Sequence, residues 1–259
     1  MAKRAVPKWE QLAREMRSKI ESGEYPRGSI LPQIKELASE RGWHHETVRQ
    51  AYLALETEGL VTVRKGQGTI VSPILGKIMR NSTGRWAAAA RTEGAARGAF
   101  AAEIARLGMT PRSEVAVGRT AAPPDRVADL LTLGPDEGAV TRDRVMFADD
   151  VPVQLAVSYY PASIADGTQL AEVDTGPGGS LSRLAELGYP VSEITEQVDV
   201  RQPTEAEAAG LSMPRDRPVI EIIRIGRTSE GRVIEVTLHT KPSNLWTLTY
   251  TWDIDPAAK

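Results

Sequence analysis

Residues 43–60, WHHETVRQAYLALETEGL, decide the fold of the first third of the chain. Their apolar side chains recur at helical spacing: Val48, Ala51, Tyr52 and Leu55. Gly59 follows as a helix terminator, and His44 and His45 stand where a helix cap is expected. The stretch therefore predicts an amphipathic helix that carries two of the three histidines of the chain at its N-terminal end.

The flanking sequence completes a recognisable layout. Residues 8–22 have the same helical spacing, and a second short helix is predicted between Pro32 and Gly42. After residue 59, the β-rich runs LVTVR and GTIVS flank KGQG, which predicts a hairpin with a glycine-supported tip. A helix, a helix-turn-helix and a hairpin within about 70 residues predict a winged helix.

Charge is divided unevenly along the 259 residues. Residues 1–97 carry 17 Lys and Arg against 10 Asp and Glu, whereas residues 98–259 carry 15 against 24. The basic first part could face a polyanion and the acidic remainder should not. The alternative is a chance scatter of solvated charge.

The polar face of the third helix is a candidate reader of DNA. Its apolar stripe must face the domain core, so His45, Glu46, Arg49 and Gln50 project outward near the helix N-terminus. Arg can bind guanine or phosphate, and Gln can pair with adenine. An ordinary solvated helix face would show the same residue types, so the helix alone leaves this open.

The hairpin tip also carries residue types that suit contacts with DNA. Arg64, Lys65, Gly66 and Gln67 place two cations and several bare amides at one exposed turn, which suits phosphates or a minor groove. The GxG within it is too short for a dinucleotide fingerprint.

Residues 9–72 resemble the N-terminal domain of the GntR family of bacterial transcription regulators. The resemblance rests on IESGEYPRGSILPQIKELA, TVRQAYLALETEGLV and RKGQGTIV at fixed spacing. It implies a winged helix that binds a palindromic operator as a dimer. The DNA contacts that it implies fall on Lys35, His45, Thr47, Arg49, and the wing around Lys65 and Gly66.

Three departures from the family pattern affect these positions. Gln33 replaces a usual Ser, Lys35 replaces an Arg, and His44 and His45 replace Ser-Arg. Losing a Ser cap costs about 1 kcal/mol of helix stability. We interpret the histidines as DNA-facing substitutions and not as a metal pair, because adjacent helical side chains point about 100° apart.

The rest of the chain predicts a second domain of different composition. Residues 73–98, rich in Gly, Ala and Arg, predict a linker, which is either a plain tether or an arm near phosphates. Residues 99–259 alternate short helices with strands joined by hairpin-short connections, including a turn at Asp149 and Asp150. The predicted fold is thus a two-domain α/β chain, with a winged helix-turn-helix over 1–72 and an antiparallel α+β domain over 99–259.

Residues 99–254 resemble the effector-binding (UTRA) domain of the HutC branch of that family, whose fold is like that of chorismate lyase. The resemblance implies an effector site at Arg144, Met146, Ala156 and Ser180, where many members have Arg-x-Arg, a Glu and a helix-leading Ser. Met146 and Ala156 depart from that pattern, and LWTLTYTWD, with Tyr250, replaces the usual polar tail. A phosphosugar is therefore not expected; a more apolar ligand, no ligand, or plain sheet packing of these residues remain open.

Three function classes follow. The first is a homodimeric repressor that binds double-stranded operator DNA and responds to a small-molecule effector. The second is a constitutive repressor whose C-terminal domain only dimerises. The third, an enzyme, is disfavoured because HExxH, GxSxG, a P-loop and cysteine are all absent from the sequence. We expect no cofactor and no metal. Lacking a long apolar run or a secretory pattern, the chain is expected to work without a membrane, in the bacterial cytoplasm at the nucleoid.

Overall fold

The computed structural model describes residues 6–64, 66–83 and 98–252. The chain divides into two compact units between Lys77 and Ile78. Each unit has its own secondary structure and its own core. Among the described residues, no helix is both long enough and apolar enough to cross a membrane.

The first unit contains three helices followed by a hairpin. The elements are α1 (Lys8–Glu21), α2 (Ile34–Arg41), α3 (His45–Thr57), β1 (Val61–Arg64) and β2 (Gly68–Val71). The two strands pair antiparallel with Val61 opposite Val71 and Arg64 opposite Gly68. The predicted winged helix is confirmed.

One apolar core joins the three helices because each contributes residues at helical spacing. The stripe of α3 is almost inaccessible to solvent, as are Leu12, Met16 and Ile20 of α1. Two ion pairs connect α1 to the other helices at the edge of the core: Arg17 binds Glu58 at the end of α3, and Glu15 binds Arg41 at the end of α2. The orientation of α3 is therefore set by its buried face, which leaves its other face outward.

The second unit is built on a six-stranded antiparallel sheet. Its elements are β3 (Ile78–Asn81), α4 (Gly98–Ala105), β4 (Pro111–Thr120), α5 (Asp125–Leu131), β5 (Ala139–Ala148), β6 (Val151–Pro161), α6 (Ala162–Ala165), a 3-10 turn (Gln169–Ala171), α7 (Gly179–Glu186), β7 (Glu193–Arg201), α8 (Glu205–Gly210), β8 (Val219–Arg227), β9 (Val233–Pro242) and β10 (Trp246–Thr249). The strand order in the sheet is β4-β5-β6-β9-β8-β7, and β3 pairs in parallel with β10 as a separate ribbon. The antiparallel sheet and the turn at residues 149–150 agree with the sequence prediction.

The predicted linker over residues 73–98 is wrong in part. Residues 78–81 form β3 and belong to the second unit, because Ile78 and Arg80 alternate inward and β10 supplies a strand partner far along the chain. Residues 84–97 of that prediction lie outside the described residues. Helix α8 was also not predicted; it begins with a capping box in which Thr204 and Glu207 bind each other's backbone N–H groups.

The two faces of the large sheet differ in chemistry. One face is apolar: Val127 and Leu131 of α5 pack on Tyr159, Ile223 and Val236. The other face carries a row of buried polar side chains. Burial of charged groups in the middle of a sheet is costly unless they are paired, so this second face is where a functional site is expected.

Candidate functional site

His44 caps α3. It precedes α3 in an extended conformation, and its Nδ1 accepts a hydrogen bond from the backbone N–H of Glu46 at 3.3 Å. The expectation of a lost cap is therefore wrong at residue 44, because an imidazole nitrogen replaces the hydroxyl oxygen as acceptor. At Gln33, before α2, no side chain caps the helix, as expected.

The outward face of α3 presents the predicted polar residues together. His45, Arg49 and Gln50 are exposed, and Glu46 and Thr47 are partly exposed. Arg49 donates to Glu46 through Nε and Nη2 at 2.8–3.0 Å, and this contact holds the pKa of Glu46 below its usual value. The pair is solvent-exposed, so phosphate or a base edge could replace the carboxylate at little cost.

The other predicted DNA-binding residues lie on the surface of the same unit. Lys35 is exposed on α2, and Arg64, Gly66 and Gln67 are exposed at the end of the hairpin. Lys65 lies outside the described residues. Gly66 has a φ of 79°, a left-handed conformation that favours glycine, and this supports the predicted tight tip.

The rings of the two histidines contact each other. Their ring centroids are 4.2 Å apart with planes tilted by 36°. Over the described ranges, no group of three or more His, Cys, Asp or Glu side chains is arranged to hold a metal ion. The cap of His44 and the exposed ring of His45 assign the two residues different positions: one supports the helix end, and the other lies on its surface.

The second site is the polar face of the large sheet. We use this name for the side chains that alternate residues of β5, β6, β8 and β9 direct to one side: Arg142, Arg144, Gln154, Ser158, Arg224, Glu235, Thr237, His239 and Lys241. Most of them are buried. Arg142 donates to three backbone carbonyls, those of Leu170, Glu172 and Val173, and so fixes the chain after the 3-10 turn.

A chain of hydrogen bonds runs across the centre of the polar face. Arg144 Nη2 donates to Ser158 Oγ at 2.5 Å, and Ser158 Oγ lies 2.8 Å from Thr237 Oγ1. Arg224 Nη2 then donates to Thr237 at 3.2 Å and to Glu235 at 2.6 Å. Glu235 also accepts from Ser180 Oγ at 3.4 Å. Two predicted effector residues, Arg144 and Ser180, are thereby connected through side chains that the prediction did not include.

The guanidinium of Arg144 uses few of its hydrogen-bond donors. Burial lowers its pKa, and its Nε is shielded from solvent without a hydrogen-bond partner. Among the described residues it makes one side-chain hydrogen bond although a guanidinium has five N–H donors. Such a group is a natural receptor for a carboxylate or a phosphate.

His239 is held neutral in the middle of this face. Burial, followed by the positive charges of Lys241 and Arg224, lowers its pKa well below the usual value. Its Nδ1 lies 3.3 Å from Gln154 Nε2, so the neutral ring accepts there. Gln154 in turn accepts from Lys241 and donates to Met146 Sδ. This end of the face is thus satisfied by its own side chains.

The remaining predicted effector residues are not gathered at one point. Ala156 is buried beside Arg144 in the register of β5 and β6, and Met146 contacts Gln154. Tyr250 instead lines a cavity of about 530 Å³ with Leu181, Val191 and Ile194. There its hydroxyl donates to Glu196 at 3.3 Å, and its ring stacks on Trp252 at 5.8 Å. Arg144, Met146 and Ala156 do not line this cavity.

The sequence contained a signal for the residues of β9 that lie on the polar face and were not predicted. Residues 235, 237, 239 and 241 alternate as Glu, Thr, His and Lys in a strand whose other residues are mostly apolar. A strand with one apolar and one polar face is usually taken to have its polar face in solvent. Here both faces are covered, which one strand taken alone cannot show.

Comparisons with known proteins agree with this architecture. Residues 8–71 match the family described as bacterial regulatory proteins, gntR family, and residues 106–245 match the UTRA domain. The HTH-type transcriptional regulator SCO4628 of Streptomyces coelicolor is 31% identical over 98% of this chain and 95% of its own length. The HTH-type transcriptional repressor NagR of Bacillus subtilis is 25% identical over 89% of this chain and 88% of its own.

A solved structure shows the same fold. PhnF from Mycobacterium smegmatis superposes with a TM-score of 0.58 at 20% identity, over 94% of this chain and 100% of that one. The winged helix, the antiparallel sheet domain and the matches over both units lead to one conclusion. The chain belongs to the GntR family of bacterial transcriptional regulators, in the HutC branch that carries a UTRA effector domain.

Proposed function

We propose that this DNA-binding regulator is a repressor that binds a palindromic operator as a homodimer and responds to a small-molecule effector in its C-terminal domain. It acts in the cytoplasm, at the nucleoid, by binding and not by catalysis. The observation that carries the DNA-binding part is the outward face of α3, where His45, Arg49 and Gln50 are exposed at the helix N-terminal end. N-terminal residues of a recognition helix are the ones that reach base edges.

The proposed interface combines two kinds of contact. Arg49 and Gln50 supply groups that can read bases, while Lys35, Arg64 and the wing supply groups for phosphates. The ion pair with Glu46 is solvent-exposed, so Arg49 can exchange that carboxylate for a phosphate or a base edge at little cost. Binding should therefore fall steeply as salt rises from ~50 to ~200 mM, because phosphate contacts release counterions.

Selection of bound DNA from a random pool by the full chain tests this function. We expect an inverted repeat whose half-sites are about one helical turn apart. His45→Ala should lower affinity for the selected sequence, whereas Arg14→Ala on the exposed surface of α1 should not. An unchanged affinity for the His45 variant would remove that residue from the interface. Recovery of unrelated sequences would contradict the palindrome.

We propose that the effector carries an anionic group that binds Arg144. Its unused donors, the neighbouring Ser158 hydroxyl and Ser180 at the start of α7 supply hydrogen bonds for a carboxylate or phosphate oxygen. Met146 and Ala156, which replace an Arg and a Glu of the family pattern, supply no charged group beside Arg144. The remainder of the ligand should accordingly be apolar.

A panel of small carboxylates and phosphate esters tests the effector site. An effector should raise the melting temperature of the wild-type chain and release the operator, and Arg144→Gln should abolish both responses. Arg112→Gln, which changes an exposed arginine on β4, is the control and should respond as the wild type does. A compound that acts equally on the Arg144 variant would place the site elsewhere.

The alternative is a constitutive repressor whose C-terminal domain only dimerises. It is supported by Gln154, which is occupied by Lys241, His239 and Met146, so that part of the polar face satisfies itself without a ligand. Operator binding that no member of the panel changes, in a wild-type chain that dimerises, favours this alternative.

A further inference from the structure

An acidic side chain stands on the face of α3 that the proposed function turns toward DNA. Glu46 lies in the first turn of α3, where its side chain is 41% exposed beside that of Arg49, which is 63% exposed. Phosphates flank any helix that enters a groove, so an exposed carboxylate there is repelled unless it meets a hydrogen-bond donor. Glu46 therefore weakens binding to DNA in general, unless a particular group of the DNA compensates for it.

The contact between Arg49 and Glu46 uses only one side of the guanidinium group. Arg49 Nε donates to the two carboxylate oxygens at 2.9 and 3.0 Å, and Nη2 donates to Oε1 at 2.8 Å. A guanidinium group has five N–H donors in a rigid fork, and the side that carries Nε holds only some of them. Over the described residues, every hydrogen bond of Arg49 goes to Glu46. The end of the fork, with Nη1 and the second N–H of Nη2, can thus bind a base while the ion pair stays intact.

The carboxylate of Glu46 also retains acceptor capacity. Its two oxygens offer about four lone-pair positions, and Arg49 directs two of its nitrogens at them. Contact with Arg49 lowers the pKa of Glu46, so the group is ionised at neutral pH and can only accept hydrogen bonds. In the major groove, the donors that base edges offer are the amino groups of adenine and cytosine.

These two donors present different neighbours to a carboxylate. The amino group of adenine lies next to N7, whose lone pair repels an anion, whereas the amino group of cytosine lies next to a C–H group. Cytosine is therefore the better partner for Glu46. Guanine offers O6 and N7 to the end of an arginine fork, which makes it the preferred partner for Arg49.

We propose that Glu46 and Arg49 read DNA together, with Arg49 bound to a guanine and Glu46 accepting a hydrogen bond from N4 of a cytosine in the same or the adjoining base pair. This rests on the proposed operator binding and names two bases of the half-site. The ion pair holds the two side chains 2.8 Å apart, and stacked base pairs are about 3.4 Å apart, so both bases lie within reach. Each side chain orients the other for its own base.

Cytosine analogues in the DNA that the wild type selects test this assignment. Each cytosine of the half-sites is replaced in turn by pyrimidin-2-one, which lacks the N4 amino group and leaves the opposite guanine in place. At one position, we expect the full-length wild type to bind at least about fivefold more weakly, the lower end of the usual cost of one wrong base pair. Glu46→Ala should lose less than about twofold at that position, because the acceptor is already gone.

Glu10→Ala is the matched control for Glu46→Ala. Glu10 also lies in the first turn of its helix, α1, and also binds an arginine of that helix. This variant should show the same loss as the wild type at the critical cytosine. Glu46→Gln keeps an amide oxygen as acceptor and should retain part of the loss. Circular dichroism verifies that each variant is folded.

The possible outcomes separate this base assignment from DNA binding itself. Selected DNA in which no cytosine amino group affects wild-type affinity overturns the role of Glu46 and leaves the DNA-binding function standing. Equal losses in the wild type and Glu46→Ala also overturn it, because Glu46 then acts only as a favourable charge at the start of α3. A chain that selects no DNA sequence overturns the proposed function and the base assignment together.

Discussion

At the scale of single residues, Gly42 sets the corner from which α3 projects. It follows α2 with a φ of 61°, and its N–H donates to the backbone carbonyl of Ser39. A Cβ atom at this position would meet no atom within 4 Å, so the requirement for glycine is conformational and not steric.

Gly42→Ala should therefore lower the free energy of unfolding by about 1 to 2 kcal/mol, the cost of a left-handed conformation for an ordinary residue. Urea denaturation of the full chain, monitored by a spectroscopic signal from the first unit, measures the change in the free energy of unfolding. Ser39→Ala, one turn earlier on the exposed side of α2, is the matched control and should stay within ~0.5 kcal/mol. Equal stability of the two variants would mean that the corner does not depend on glycine.

The burial or exposure of the residues on α3 was largely predictable from the sequence. The helical spacing of Val48, Ala51, Tyr52 and Leu55 fixes which face is buried, and hence which face is outward. The cap at His44 was not predictable, because histidine is not among the preferred capping residues and its role depends on where one ring nitrogen points. The i, i+3 spacing of Glu46 and Arg49 on one helix is the sequence signal for their contact.

At the scale of elements, the pairing of β3 with β10 explains a buried arginine. Arg80 is 1% exposed, and its guanidinium binds both carboxylate oxygens of Glu196, with Nη1 to Oε2 at 2.8 Å. The pair joins the β3–β10 ribbon to β7 of the large sheet. In the sequence, residues 80–82 fall within the predicted linker, because the partner carboxylate of Arg80 lies 116 residues away and no local pattern reveals it.

Arg80→Met should destabilise the second unit by about 3 to 5 kcal/mol, because it leaves a charge buried at Glu196 without its arginine. Chemical denaturation measures the loss. The double variant Arg80→Met, Glu196→Gln removes both charges and should recover a large part of the stability. A loss below ~1 kcal/mol in the single variant would show that water reaches Glu196.

The positions of the strands along the chain were more predictable than their order in the sheet. Alternation and turn residues located β4 to β9, and local hairpins fixed β5 with β6 and β8 with β9. Which strand lies beside which across the sheet, such as β6 beside β9, depends on long-range packing that no local pattern carries. The polar face followed from that order, so Arg224 and Glu235 could not be assigned to one site from the sequence.

At the scale of the whole molecule, the polar face links stability to pH. His239 is partly buried, and desolvation together with the neighbouring positive charges lowers its folded pKa, so the unfolded chain binds a proton more readily than the folded chain. The stability contributed by a neutral His239 is therefore complete above the unfolded-state pKa of about 6.5 and is lost as pH falls below it. The slope for one proton is at most about 1.4 kcal/mol per pH unit.

We expect His239→Gln to flatten the stability profile between about pH 6.5 and pH 5, where carboxylates contribute little. Urea midpoints at several pH values provide the measurement. His45→Gln changes an exposed imidazole in the other unit and should retain the slope of the wild type. A wild-type profile that is flat over this window would mean that His239 can be protonated without cost.

The central claim for the molecule is that the N-terminal end of α3 reads DNA. Arg14 and Arg49 form a matched pair for its test: they are 60% and 63% exposed, and each binds a glutamate on its own helix. The most direct measurement is the affinity of Arg49→Gln and Arg14→Gln for the DNA selected by the wild type. We predict that Arg49→Gln binds at least about tenfold more weakly, since a bidentate base contact contributes about 1 to 3 kcal/mol, and that Arg14→Gln binds as the wild type does. Equal affinity of the two variants would contradict the account.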